Sequence, residues 1–145
     1  GSVLGPILFI MYTTPFSSLL SNTGINHHLY ADDTQLFISF SPSSYPTSII
    51  QLQSTIAQVS SWMSANLLVL NPTKTEFLVI GNPQQLAKLN NPLLIFDSNT
   101  TIVPVQKARN LGVTLDNHLS LHCQITALSQ SCFYHIRDLR RIRDN

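Results

Sequence analysis

Apolar positions along this chain switch repeatedly between helical and strand spacing. Pro6-Ile7-Leu8-Phe9-Ile10-Met11-Tyr12 reads as a buried helix with Pro6 in its first turn, ended or kinked at Pro15 and followed by a Ser21-Asn22-Thr23-Gly24 loop. Two short apolar runs come next, residues 25–31 and 35–40. In the second, Leu36, Ile38 and Phe40 alternate with Gln35, Phe37 and Ser39. Together they predict a β-hairpin with Asp32 and Asp33 at its tip. Beyond a Ser- and Pro-rich linker, Ile49, Leu52, Ile56, Val59 and Met63 recur at helical spacing, predicting an amphipathic helix over 47–65 that ends near a core tryptophan, Trp62. An extended stretch at 67–70, a turn at Asn71-Pro72, a strand at 75–80 and a short helix at 84–90 follow. Strands are expected at 93–96, 102–105 and 111–115. Leu121, Ile125, Leu128, Cys132, Ile136 and Leu139 then step by three or four, marking a final helix with one apolar stripe. Helices and strands mix without regular βαβ alternation, so the fold class is α+β.

Composition adds one constraint. In 145 residues, 43% are apolar, enough for one core, but only 10% are charged, well below the usual quarter. So few charges imply that some surface is meant to be covered. The net charge of +1 exerts no global pull on nucleic acid, yet four of the eight basic residues (Arg137, Arg140, Arg141, Arg143) lie in the last nine positions. Phosphate contact by Arg137, Arg140 and Arg141 and a plain solvated helix face are equally good readings. Two cysteines make no disulfide framework, which fits a reducing, intracellular setting in nucleus or cytoplasm. No continuous apolar run reaches the ~18 residues of a membrane span, and no membrane partner is expected. The chain begins without Met, as a piece of a longer protein would.

Adjacent carboxylates between apolar strands repel each other unless a cation sits beside them, and Mg²⁺ takes such oxygen ligands. Taken alone, Asp32-Asp33 is more often just a turn. His27 and His28, neighbours on a strand, face opposite ways and cannot readily share a metal. His118, His122, Cys123, Cys132 and His135 fall into two pairs about 20 Å apart on one helix, so core packing is expected of them rather than zinc.

The order of four motifs changes the weighing. Gly1-Ser2-Val3-Leu4-Gly5-Pro6-Ile7-Leu8-Phe9, Tyr30-Ala31-Asp32-Asp33-Thr34-Gln35-Leu36, Leu70-Asn71-Pro72-Thr73-Lys74-Thr75-Glu76 and Asn110-Leu111-Gly112-Val113-Thr114-Leu115-Asp116 follow in sequence, and the run resembles the reverse transcriptases of non-LTR (LINE-type) retrotransposons. The resemblance implies a partial palm domain over 1–116, with a ferredoxin-like sheet carrying the catalytic hairpin, and the start of a helical thumb over 117–145. It implies an RNA-directed DNA polymerase parent that uses two Mg²⁺ ions (Mn²⁺ as a substitute), deoxynucleoside triphosphates, an RNA template and a DNA primer. By position, Asp32 is similar to the metal-ligating aspartate and Asp33 to its supporting neighbour, while Tyr30 is similar to the residue packing beside the primer end. Gly1, Ser2, Gly5 and Pro6 match the loop bordering the incoming nucleotide. Lys74 matches a lysine near the pyrophosphate that acts as general acid, or is an exposed turn lysine. Leu111-Gly112 resembles the primer-gripping hairpin, or is a strand with a glycine bulge. The family also needs an earlier aspartate and N-terminal fingers that this chain does not carry, so inactivity alone is expected. The alternative is a non-catalytic remnant of a decayed element with weak nucleic-acid binding.

Overall fold

The computed structural model describes residues 3–90 and 92–143, and the fold is α+β. In chain order its elements are α1 (Leu4–Asn22), β1 (Asn26–Tyr30), β2 (Asp33–Phe37), α2 (Tyr45–Ala65), a one-turn 3₁₀ helix (Pro72–Lys74), β3 (Phe77–Leu78), α3 (Pro83–Leu86), β4 (Leu94–Ile95), β5 (Thr101–Ile102), β6 (Pro104–Val105), β7 (Lys107–Asn110), β8 (Val113–Asp116) and α4 (His122–Arg143). They form two compact units, Gly1–Thr75 with Leu93–Ile102, and Glu76–Pro92 with Val103–Asn145.

The first unit is built on α1 against α2. Phe16, Leu20 and Val59 are its buried centre, with Leu19, Leu36, Trp62, Met63 and Leu70 packed around them. Trp62 anchors this core as expected, its ring stacked on Phe16 at 4.9 Å between centroids. The Tyr12 hydroxyl donates to the Asn66 carbonyl, tying the middle of α1 to the C-terminal cap of α2. Helical spacing on α2 also buries Leu52 and Ile56, and β4, which pairs antiparallel with β5, places Leu94 in the interior.

Pro15 does not end α1: the helix runs about two turns past the expected stop, to Asn22. Proline there removes a single hydrogen bond, the one to the Met11 carbonyl, and both residues lie on the exposed side where water satisfies that oxygen. Consequently α1, at 19 residues, is long and apolar enough by length and composition to cross a membrane, which corrects the expectation drawn from continuous apolar runs. Core helices meet the same test, and Phe16 and Leu20 make α1 part of a core.

In the second unit β3 pairs parallel with β6, and β7 pairs antiparallel with β8. The expected strand at 111–115 is split. Leu111 and Gly112 form a two-residue loop in which both φ angles are positive (45° and 85°), as a type I′ hairpin turn requires. Gly112 supplies one of those angles without strain, and the strand proper starts at Val113. Behind it, Asp116 organises the entry to α4. Its Oδ1 accepts from the Ser120 and His118 amides at 3.0 Å each, and its Oδ2 accepts from the Leu121 amide at 2.8 Å and the Ser120 hydroxyl at 3.0 Å. The Ser120 amide above all, with the other three donors, holds the Asp116 carboxyl down at about 2. The Gln124 side chain accepts from the Thr114 amide at 2.8 Å, fastening the first turn of α4 to β8.

Strands pair as four two-stranded ladders among the described residues, so the continuous ferredoxin-like sheet implied by the resemblance is not assembled in them. Each ladder is short, and none supplies a neighbour to the outer edges of the others. The apolar stripe of α4 is exposed, as are His118, His122, Cys123, Cys132 and His135; the core packing expected of these five does not occur, because no described element covers α4 on that side. Leu67 and Val69 are likewise open, at 94% and 92% exposure. The scarcity of charge is therefore matched by much uncovered apolar surface.

Replacing Leu20, fully buried, with Ala is expected to destabilise the first unit by about 2–5 kcal/mol, whereas Leu67→Ala should stay within about 0.5 kcal/mol; denaturant midpoints with unchanged slopes measure both. For the Asp116 turn the sign follows from a lowered carboxyl. Between about 2 and the ordinary 3.8 the unfolded chain binds more protons, so the contribution is complete above the upper value and lost as pH falls through the lower one. Amide exchange at Ser120 and Leu121 should accelerate over that window, and Asp116→Ala should show the fast exchange at every pH.

Candidate active site

The hairpin of β1 and β2 pairs Asn26 with Phe37, His27 with Leu36, His28 with Gln35, Leu29 with Thr34 and Tyr30 with Asp33. Only Ala31 and Asp32 remain in the loop. Ala31 takes a positive φ of 52°, the left-handed turn residue that two-residue hairpins need at their first loop position. A small side chain tolerates this at modest cost, whereas a β-branched one would not. The carboxylates thus differ in placement: Asp32 sits in the loop and Asp33 opens β2.

Residues directly opposite in an antiparallel pair share a face. One face carries Leu29, Thr34, His27 and Leu36, and Leu36 packs against the Phe16–Leu20–Val59 core. The other carries Tyr30, Asp33, His28, Gln35 and Phe37, and is open to solvent apart from the partly covered Gln35. Alternating burial of one strand face therefore turns Asp33 and Tyr30 outward together, Tyr30 being 65% exposed. His27 and His28 do face opposite ways. His27 Nδ1 lies 3.3 Å from the Ile25 carbonyl, and His28 stacks on Phe37 with ring centroids 5.1 Å apart.

Gln35 and Phe37 were not singled out as site residues from the sequence, and His28 was weighed only as a metal ligand beside His27. Counting by twos from Asp33 along the paired strands would have placed them on the site face.

Asp32 and Asp33 are exposed and make no side-chain hydrogen bond or ion pair among the described residues. As hard oxygen donors side by side they suit a divalent cation in chemistry. They do not complete a site: no group of three or more His, Cys, Asp or Glu side chains able to hold a metal exists among the described residues. Three of the other acids are engaged elsewhere. Glu76 accepts the Arg109 amide at 3.3 Å, Asp97 accepts the Asn99 amide at 2.8 Å, and Asp116 holds its turn.

Lys74 ends the 3₁₀ turn and is exposed. Asn71 shapes that turn, its Oδ1 accepting from the Thr73 amide at 3.0 Å and the Thr73 hydroxyl at 2.7 Å. Lys74 and the aspartates belong to the same unit, but no hydrogen bond or ion pair joins them among the described residues. Gly5 and Pro6 lie in the first turn of α1 rather than in a loop, since the first helical positions have no intrahelical N–H bond for proline to lose. Gly1 and Ser2 lie outside the described residues. Leu111 and Gly112 form the exposed tip of the β7–β8 hairpin, in the second unit.

Arg137, Arg140 and Arg141 are exposed on α4, also in the second unit. At 3.6 residues per turn Arg137 and Arg141 fall opposite the apolar stripe, and Arg140 flanks it. The Arg137 guanidinium stands 5.6 Å from the Tyr134 ring centroid, a cation–π contact one turn apart.

Comparison with known proteins agrees with the motif order. The family described as "Reverse transcriptase (RNA-dependent DNA polymerase)" matches residues 1–115. A "Probable RNA-directed DNA polymerase from transposon BS" of Drosophila melanogaster is 27% identical over 154 aligned positions, which take in 97% of this chain and 16% of that protein. The chain thus spans about a sixth of the relative's length. No solved structure matches. The matched span takes in the paired carboxylates, the Lys74 turn and the Leu111-Gly112 tip, and the chain belongs to the reverse transcriptase (RNA-dependent DNA polymerase) family.

Proposed function

We propose that the chain is the part of a non-LTR retrotransposon reverse transcriptase that bears the catalytic hairpin, with palm residues over 1–116 and the start of the thumb over 117–145. The observation that carries this is the hairpin itself. A two-residue turn and the packing of Leu36 on the core leave Asp32 in the exposed loop and Asp33 on the solvent face, within a segment matching the polymerase family. Reverse transcriptases use divalent metal ions. Bound Mg²⁺ would supply activation of the primer 3′-hydroxyl and neutralisation of the triphosphate. Asp32 would be the ligand and Asp33 its support, with the remaining ligands coming from a longer polypeptide, since no third His, Cys, Asp or Glu side chain groups with the pair among the described residues.

Around that centre, Tyr30 would pack beside the primer end from the same face as Asp33. Lys74, on a turn stiffened by Asn71, would protonate the leaving pyrophosphate. Gly1, Ser2, Gly5 and Pro6 would border the incoming deoxynucleotide, and the Leu111-Gly112 tip would rest on the primer strand. Arg137, Arg140 and Arg141 would meet phosphates of the RNA template or DNA primer without reading sequence. Activity would be exercised inside the cell, in nucleus or cytoplasm.

The absence of a third ligand among the described residues favours one rival, a non-catalytic remnant with weak nucleic-acid binding. Template-directed primer extension by the longer polypeptide separates the two. The polymerase reading expects DNA synthesis on RNA that falls to background in Asp32→Asn with the fold intact; synthesis unchanged in that variant would remove the assignment. Lys74→Ala is expected to slow the chemical step by about 10²–10⁴-fold with primer affinity preserved, as single-turnover kinetics would reveal. Arg140→Ala and Arg141→Ala should each lower nucleic-acid affinity evenly across sequences and reduce the slope of log affinity against log salt by about 1.

A further inference from the structure

Two side chains grip the β7–β8 hairpin by amides that its own ladder leaves over. With Leu111 and Gly112 as the loop, Asn110 and Val113 close the ladder. Arg109 and Thr114 form the next, non-hydrogen-bonded pair, whose N–H groups point outward from the two edges. Both find an acceptor. Glu76 Oε2 takes the Arg109 amide at 3.3 Å on one edge, and Gln124 Oε1 takes the Thr114 amide at 2.8 Å on the other. Gln124 sits in the first turn of α4, where a glutamine commonly folds back to cap the start of its own helix. That role is already filled, because Asp116 Oδ2 holds the Leu121 amide at 2.8 Å.

From Leu121 to Arg137 every side chain but that of Gln124 is exposed. Asp116 secures the entry to the helix and Gln124 its first turn. One such point leaves a rod free to swing, and two fix its direction. We propose that Gln124 is a positioning residue: by accepting the edge amide of Thr114 it fixes the direction of α4 against β8. It thereby sets the separation between the Leu111-Gly112 tip and Arg137, Arg140 and Arg141, all within the second unit. The leverage is large. Arg137 lies about 20 Å along the helix from Gln124 at ~1.5 Å per residue. A tilt of about 20° there moves it by about 7 Å, two steps of a nucleic-acid strand at ~3.4 Å each. Tip and arginines then lose their common register on the phosphates of one strand. The use of that surface rests on the function proposed above; the fixing of the helix does not.

The test measures the distance between spin labels on the exposed Lys107→Cys and the native Cys132, in the full 145-residue chain carrying Cys123→Ser. Alongside it, the unlabelled chain is titrated with a primer–template duplex. Gln124→Met keeps the side chain's length but not its acceptor, Gln124→Asn keeps the amide but falls a methylene short, and Gln124→Glu keeps an acceptor within reach. The expected result is one narrow distance in the parent chain and in Gln124→Glu, and a broad distribution in Gln124→Met and Gln124→Asn with helix content by circular dichroism unchanged. A purely stabilising side chain would lower the denaturant midpoint and leave the width alone. Duplex affinity should fall about fivefold in the two broad variants, with a shallower dependence on salt as fewer phosphates are met at once. Equal widths in the parent chain and both of those variants would overturn the proposal, as would a broadened helix with duplex affinity untouched. A parent chain that binds no duplex while the widths behave as expected would support the fixing of α4 and contradict the polymerase reading.

Discussion

Burial of Leu36 against Phe16, Leu20 and Val59 is the interaction on which the site depends. A two-stranded hairpin is marginal by itself in water. Packing one face of β1–β2 on the α1–α2 core fixes which way every residue of the hairpin points, because strand side chains alternate. Slippage by one residue would bury Asp33 and expose Leu36, an exchange the core forbids. Asp33 and Tyr30 are therefore directed outward by hydrophobic packing on the opposite face, with no hydrogen bond of their own required.

That logic explains why this part of the fold was legible in the sequence. Leu36, Ile38 and Phe40 announced the inward face, the Asp-Asp pair announced the tip, and the 3–4 spacing from Ile49 to Met63 announced α2. Each signal is local and period-based. Pro15 misled because proline disrupts a helix only where its lost hydrogen bond is costly, and that depends on exposure, which the sequence does not state. The resemblance had put a hairpin at Leu111-Gly112, but the strand expected to start at Leu111 starts at Val113, because a leucine with positive φ is uncommon and pairing of Asn110 with Val113 is what leaves the two residues in the turn. Asp116 carried no signal at all: its four donors lie in the following five residues, in a turn with no hydrophobic period.

The apolar surface tells a complementary story. Low charge correctly announced that the chain carries apolar area, yet the prediction that α4's stripe and its cysteines and histidines would be packed failed, since periodicity gives the face of a helix and not what covers it. The same gap governs the paired carboxylates. Two carboxylates on a rigid tip are legible as a donor pair, but a cation needs more oxygen ligands than the pair can give, and the described residues contain no third. On the function proposed above, the pair would be one half of a ligand set.

Its central claim, that the Asp32–Asp33 tip is the cation-binding point of this chain, is most directly tested by titrating Mn²⁺ into the isotopically labelled chain and following paramagnetic broadening residue by residue. The account predicts weak binding with broadening confined to the hairpin tip around Tyr30 to Thr34 and abolished in Asp32→Asn. Broadening centred on Glu76, Asp97 or Asp116, or identical broadening in the variant, would contradict it.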